Sequence, residues 1–173
     1  MIVSIPVRRI VRLGHPVLRR PTRALSADEI AAPEVQRLVD ELAVTMAAYG
    51  GVGIAAPQVG EGVSLFVMGL PKASPRQPEG IELTVAFNPR VKFLGAEKET
   101  DWEGCLSVPG LRGQVERPRK VELRAQDRKG KAFKRVYAGF PARVVQHEAD
   151  HLLGKVYLDR MRDLTSLSCV GGQ

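Results

Sequence analysis

His147-Glu148-Ala149-Asp150-His151 is an HExxH segment, and the reading of the whole chain starts from it. On an α-helix, residues four apart share one face about one turn apart, so His147 and His151 can chelate one metal ion together. Glu148 is turned about 100° round the helix from His147, where it can reach a water on the ion without ligating the ion itself. The helix is expected over residues 140–153 and stops at Gly154. The chain has three histidines and two of them stand here, which weighs against a surface helix with two solvated imidazoles.

A catalytic site of this kind needs a third protein ligand and an open position. No glutamate follows Glu148, and Tyr157 stands where the extended HExxHxxGxxH pattern has its third histidine. Cys105, Cys169, Asp159, Asp163 and His15 remain. Asp159 and Asp163 follow closely after the helix. Cys169 falls in residues 162–173, expected to be a flexible tail. Cys105 is favoured, because it sits in Glu103-Gly104-Cys105-Leu106-Ser107, where glycine permits close approach of backbone to a ligand. Without a metal it would read as an inert core thiol.

A third element is Gly51-Val52-Gly53-Ile54-Ala55-Ala56-Pro57-Gln58. Its small residues let backbone come near another group, and Gln58 offers an amide donor of the kind that stabilises a developing oxyanion. The Lys-Ser/Thr ending of a phosphate-binding loop is absent.

The chain of 173 residues suits one domain, taken as 1–173. It is 44% hydrophobic and 26% charged, which excludes a disordered chain. No apolar run approaches the roughly 20 residues of a membrane helix. Two cysteines cannot form a disulfide framework, and a reducing compartment is expected. Six arginines and no acid in the first 27 residues suit a transit peptide, but Pro6, Pro16 and Pro21 interrupt any amphipathic helix there. The expected location is the cytoplasm. The net charge of +7 favours an anionic neighbourhood such as a ribosome surface. Nothing points to specific DNA binding.

Residues 1–25 read as extended or irregular. Val35, Leu38, Val39, Leu42 and Met46 form a helical stripe after Pro33, with Glu34, Arg37, Asp40 and Glu41 on the other side and Gly50-Gly51 beyond its end. Strands are expected at 63–68 and, around an Asn88-Pro89 turn, at 83–87 and 91–94. Residues 71–80 read as a polar loop. A β-meander pattern runs from about 113 to 137, with a turn at 127–130. The fold class is α+β, with antiparallel or mixed sheets packed around the metal-binding HExxH helix.

The three segments together resemble the peptide deformylase family, which carries GxGxAAxQ, EGCLS and QHExDH in this order. Here they are residues 51–58, 103–107 and 146–151. The resemblance runs from about Arg8 to about Met161. It implies a hydrolase that removes the N-formyl group from the initiator methionine of nascent polypeptides, with one divalent ion, Fe(II) above Zn(II) or Ni(II). It implies Cys105, His147 and His151 as metal ligands. Water on the metal is then the nucleophile and Glu148 the general base. It implies an oxyanion met by Gln58 and the Leu106 backbone N–H, and peptide bound along Val52 and Gly53 as an added strand. Arg112 matches a family arginine that contacts the substrate backbone. Phe140 and Val144 are read as walls of the methionine pocket or as ordinary core residues. The partners implied are N-formylmethionyl peptides and a transient contact with the ribosome.

Two other readings stay open. A metallopeptidase would share the helix and the base. A zinc-stabilised or ribosome-binding module would need four protein ligands and no Glu148. Asp150 is left without a ligand role. A short acid near apolar neighbours needs a cation, and Arg117 is expected to supply it; the alternative is an exposed Asp150 beside Arg143.

Overall fold

Val121, Leu123 and Ala125 alternate with Lys120, Glu122 and Arg124, and a period of two puts one set on each face of a strand. In the computed structural model, which describes residues 5–70 and 77–170, the first set is buried in the core. The helices are α1 (Ala27–Ala31), α2 (Pro33–Ala48) and α3 (Phe140–Leu152). The strands are β1 (Gly53–Ala55), β2 (Leu65–Leu70), β3 (Ile81–Phe93), β4 (Lys98–Cys105), β5 (Val108–Pro118), β6 (Lys120–Gln126), β7 (Ala132–Ala138) and β8 (Ser168–Cys169).

One antiparallel sheet has the order β1-β2-β3-β6-β7, and a second has β4-β5-β8. The architecture is α+β, as the residue patterns imply. β2 is buried on both faces, which explains its unbroken apolar run. Leu65 and Val67 share a core with Leu38, Leu42 and Met46 of α2. Phe66 and Met68 share another with Ala142, Val145 and Leu152 of α3. Each such side chain taken fully from water contributes roughly 1.5–3 kcal/mol. α3 therefore has the five-stranded sheet on one side, while on the other its Arg143 donates to the Val115 carbonyl of β5.

The differences from the sequence reading have local causes. The two short strands expected around Asn88-Pro89 are one strand, β3, with a register shift between Phe87 and Arg90. Asn88 makes the bulge at φ 49°, and its side chain accepts from Leu25 N at 2.9 Å and donates to Leu25 O at 2.8 Å. The expected meander is divided, because β5 pairs with β4 and only β6 and β7 form a hairpin in the larger sheet. Glu41, expected on the polar side of α2, is buried and paired with Arg8 at 2.9 Å. The irregular N-terminal stretch holds a 3₁₀ turn at Pro16–Arg19. In the expected tail, Ser168 and Cys169 pair with Arg112 and Leu111. Residues 1–4, 71–76 of the polar loop and 171–173 lie outside the described residues. No described helix is long and apolar enough to cross a membrane.

Candidate metal centre

α3 begins with Phe140-Pro141 after Gly139 and carries His147 and His151 one turn apart toward β4. Cys105 closes β4, where the β4–β5 register shifts between Gly104 and Cys105. One donor atom from each of Cys105, His147 and His151 lies within 4.8 Å of the others. Cys105 Sγ is 3.3 Å from His151 Nε2. Two ligands at zinc-like bond lengths of about 2.1 and 2.3 Å sit about 3.5 Å apart at a tetrahedral angle, so this spacing accepts a small divalent ion.

A second layer fixes the ligands. Glu103 is buried on β4 and faces His147 Nδ1 at 2.9 Å. It also accepts from Arg117 Nε at 2.8 Å, Arg117 Nη2 at 3.0 Å and Arg143 Nη1 at 2.8 Å. Burial opposes its charge, but the hydrogen bonds from Arg117 and His147 prevail and hold its carboxyl well below the usual range. An ionised Glu103 only accepts, so Nδ1 of His147 carries the proton and Nε2 is the ring nitrogen left to a metal. In the sequence Glu103 stands only as the first residue of the Glu103–Ser107 segment, with no role assigned to it. The signal for it is its place two residues before a candidate ligand, last in the alternating acids Glu99, Asp101 and Glu103.

Arg117 Nη1 donates to Asp150 Oδ2 at 2.6 Å, both side chains being buried. The expected pair is therefore present. Arg143 is engaged by Glu103 instead, and Arg160 Nε covers Asp150 at 3.0 Å.

Glu148 is 3% exposed, and its Oε2 has no hydrogen-bond partner among the described residues. Burial pushes its carboxyl up to about 7; His147 and Arg117 oppose the rise and Glu103 adds to it. An orphaned carboxylate oxygen beside three clustered N/S donors fits a site for an ion and its water. Gly53 makes room for it: a Cβ there would stand 2.7 Å from Glu148 Cδ. Gln58 lies in the 3₁₀ turn Ala56–Val59, and its Oε1 accepts from Ala55 N at 2.8 Å. That bond turns Nε2 into the site, 3.5 Å from Cys105 Sγ and 3.4 Å from Ser107 Oγ.

These groups open onto a cleft of about 690 Å³. Val52, Gly53, Gln58, Cys105, Leu106, Phe140, Val144, His147 and Glu148 line it, while His151 is fully buried behind. β1 is the edge strand of its sheet, and its first residue, Gly53, lines the cleft. Arg112 does not line the cleft. It lies on β5, with its guanidinium 4.7 Å from the ring centre of Trp102, which does line it. Tyr157 stacks on His147, ring centres 6.3 Å apart, with its hydroxyl buried and unpartnered among the described residues. Burial and the charges of Cys105 and Glu103 push that hydroxyl up to about 12.

Comparison with known proteins gives one consistent picture. A family model described as polypeptide deformylase matches residues 7–166. Peptide deformylase 1 of Nitrosomonas europaea is 41% identical over 160 residues, covering 91% of this chain and 89% of the relative. Peptide deformylase 2 of Bordetella bronchiseptica is 42% identical over 161 residues, covering 92% and 90%. Among solved structures, the class I type b peptide deformylase from Acinetobacter baumannii with Met-Ala-Ser bound superposes with a TM-score of 0.85 at 35% identity, covering 91% of this chain and 100% of that one. The actinonin complex of a peptide deformylase from Synechococcus elongatus gives 0.79 at 34%, covering 93% and 87%.

Proposed function

The chain belongs to the polypeptide deformylase family and is a metal-dependent hydrolase that removes the N-formyl group from nascent polypeptides; we propose that Cys105, His147 and His151 hold its ion and that Glu148 is the general base. The observation that carries this assignment is the unpartnered, buried Glu148 Oε2 beside the three clustered donors. When bound, the ion supplies a water acidified toward neutrality and a Lewis-acid contact for the formyl oxygen.

The residues of the chain do the rest. Glu148 accepts the proton of the attacking water and returns it to the amine as the formyl C–N bond breaks, leaving formate and a free methionine amine. Gln58 Nε2, held by its own Oε1 bond to Ala55, and the Leu106 N–H meet the developing oxyanion. One such donor is worth roughly 2.7–4 kcal/mol. Val52 and Gly53 pair with the peptide main chain at the free edge of β1. Phe140 and Val144 wall the methionine pocket. Arg112, stacked on Trp102, which lines the cleft, is the residue proposed to contact the peptide backbone.

One thiolate and two imidazoles suit Fe(II), Zn(II) and Ni(II). The family resemblance favours Fe(II), with Zn(II) and Ni(II) as working substitutes. The Acinetobacter baumannii relative was solved with Met-Ala-Ser bound, which supports a methionine-first peptide as ligand. Nascent chains as substrate, with the net charge of +7, suit work in the cytoplasm and a transient contact with the ribosome.

Formate release from formyl-Met-Ala-Ser by the metal-loaded chain tests the function. Formate and free Met-Ala-Ser are expected. Cleavage at an internal amide without formate would instead identify a metallopeptidase. Loss of activity in air by the iron form, but not by the nickel or zinc form, is the expected mark of Fe(II) beside an oxidisable thiolate.

A further inference from the structure

The arginines of the N-terminal segment divide into two groups. Arg8 pairs with Glu41 at 2.9 Å and Glu61 at 2.6 Å, Arg19 with Asp159, and Arg23 with Glu29 at 2.7 Å. Arg20, outside the cleft of the metal centre, has no ion pair among the described residues, and neither do Arg9 and Arg12. Both are exposed, and both line the cleft of the metal centre. The backbone fixes them there. Ile10 is buried in the core with α2. Val11 N donates to Gln58 O at 2.9 Å, and Leu13 N donates to Ser107 O at 2.8 Å. Arg12 is thus held between two tethers that end on the segments carrying Gln58 and Cys105.

Among the described residues, nothing in the cleft wall balances these cations. Its acids are Glu103 and Glu148. Glu103 is engaged by Arg117, Arg143 and His147, and Glu148 is buried. The two free guanidinium groups therefore act on whatever occupies the cleft.

We propose that Arg9 and Arg12 are specificity-determining residues that favour substrates with an aspartate or glutamate within the two residues after the methionine. This rests on the deformylase reading and narrows its substrate class. A peptide added to the β1 edge advances about 7 Å for every two residues, and Arg9 and Arg12 line the same cleft as Val52 and Gly53, so the residues just after the methionine are the ones set against them. Both arginines are exposed, so the pairing is weak and sensitive to salt.

The test compares kcat/KM for formate release from formyl-Met-Ala-Glu-Ala-amide and formyl-Met-Glu-Ala-Ala-amide with that from their glutamine counterparts. The amide ends remove the terminal carboxylate as a second anion. A preference for glutamate of about fivefold at low salt in at least one pair, shrinking at high salt, is expected. In the double variant Arg9→Ala/Arg12→Ala the ratio should fall to about one. Arg20→Ala, exposed and outside the cleft, should keep it. Equal rates for glutamate and glutamine, or a preference that survives in the double variant, would overturn the proposal. No formate from any peptide would contradict the deformylase reading itself and take this proposal with it.

Discussion

Arg117 on β5 stands 2.6 Å from Asp150 on α3, and the same guanidinium holds Glu103 on β4 at 2.8 Å. One buried cation thus locks the strand that ends in Cys105 to the helix that carries His147 and His151. Removing one member of a buried pair costs about 3–5 kcal/mol, because the other charge is left without its partner. Asp150→Asn and Arg117→Ala should both lower the melting temperature of the metal-loaded protein. Arg117→Ala should be the worse, since it takes one partner from each of two carboxylates. The double variant should be no worse than Arg117→Ala alone. Additive losses in thermal unfolding would show that the two residues act independently.

Glu103 bears directly on the ligand His147. Glu103→Gln removes the charge that keeps the proton on Nδ1 of His147. Loss of such an outer partner typically weakens metal binding about 10–100-fold. Competition against a chelator should show a loss of this size, and unchanged affinity would remove Glu103 from the support of the site.

Gly53 is fixed by space rather than by backbone angle. A methyl group there would overlap the Glu148 side chain, 2.8 Å from its Cγ. Gly53→Ala should therefore keep the bound ion, whose donors lie elsewhere, while turnover falls by about 10²-fold, as it does when a reacting group is displaced by an ångström or so. Metal content and formate release, measured on the same preparation, separate the two effects.

The sequence revealed the donors better than it revealed what holds them. Spacing of four on a helix brings His147 and His151 together from local geometry alone, and the need for a third ligand points to Cys105. The Asp150–Arg117 pair was legible because a short acid among apolar neighbours calls for a cation. Glu103 was not, because its three partners come from β5 and α3, 14 to 44 residues away in the chain. β4 is hidden in the sequence for a related reason: Lys98, Glu99 and Thr100 are exposed, so it lacks an apolar period at its start. α1 could have been found. Ser26 and Glu29 form a capping box, with Glu29 N donating to Ser26 Oγ at 3.2 Å and Ser26 N donating to Glu29 Oε2 at 2.8 Å. The bulge at Asn88 looked like a turn because Asn-Pro marks both.

Tyr157 offers a cleaner test of packing around His147. Its ring supports the imidazole, whereas its buried hydroxyl has no partner among the described residues. A buried polar group without a hydrogen bond costs about 1–3 kcal/mol. Tyr157→Phe keeps the ring and removes that cost, so the melting temperature should stay level or rise, with metal affinity unchanged. A clear drop in melting temperature would reveal a bond to the hydroxyl.

The role of Glu148 is tested most directly by Glu148→Gln, assayed with formyl-Met-Ala-Ser and with its metal content measured in the same sample. The substitution keeps the shape of the side chain and removes the base. The expected result is full metal occupancy and an unchanged melting transition, with formate release reduced about 10²–10⁴-fold. A metal-loaded Glu148→Gln protein that releases formate at the unsubstituted rate would contradict the assignment of Glu148 as the general base.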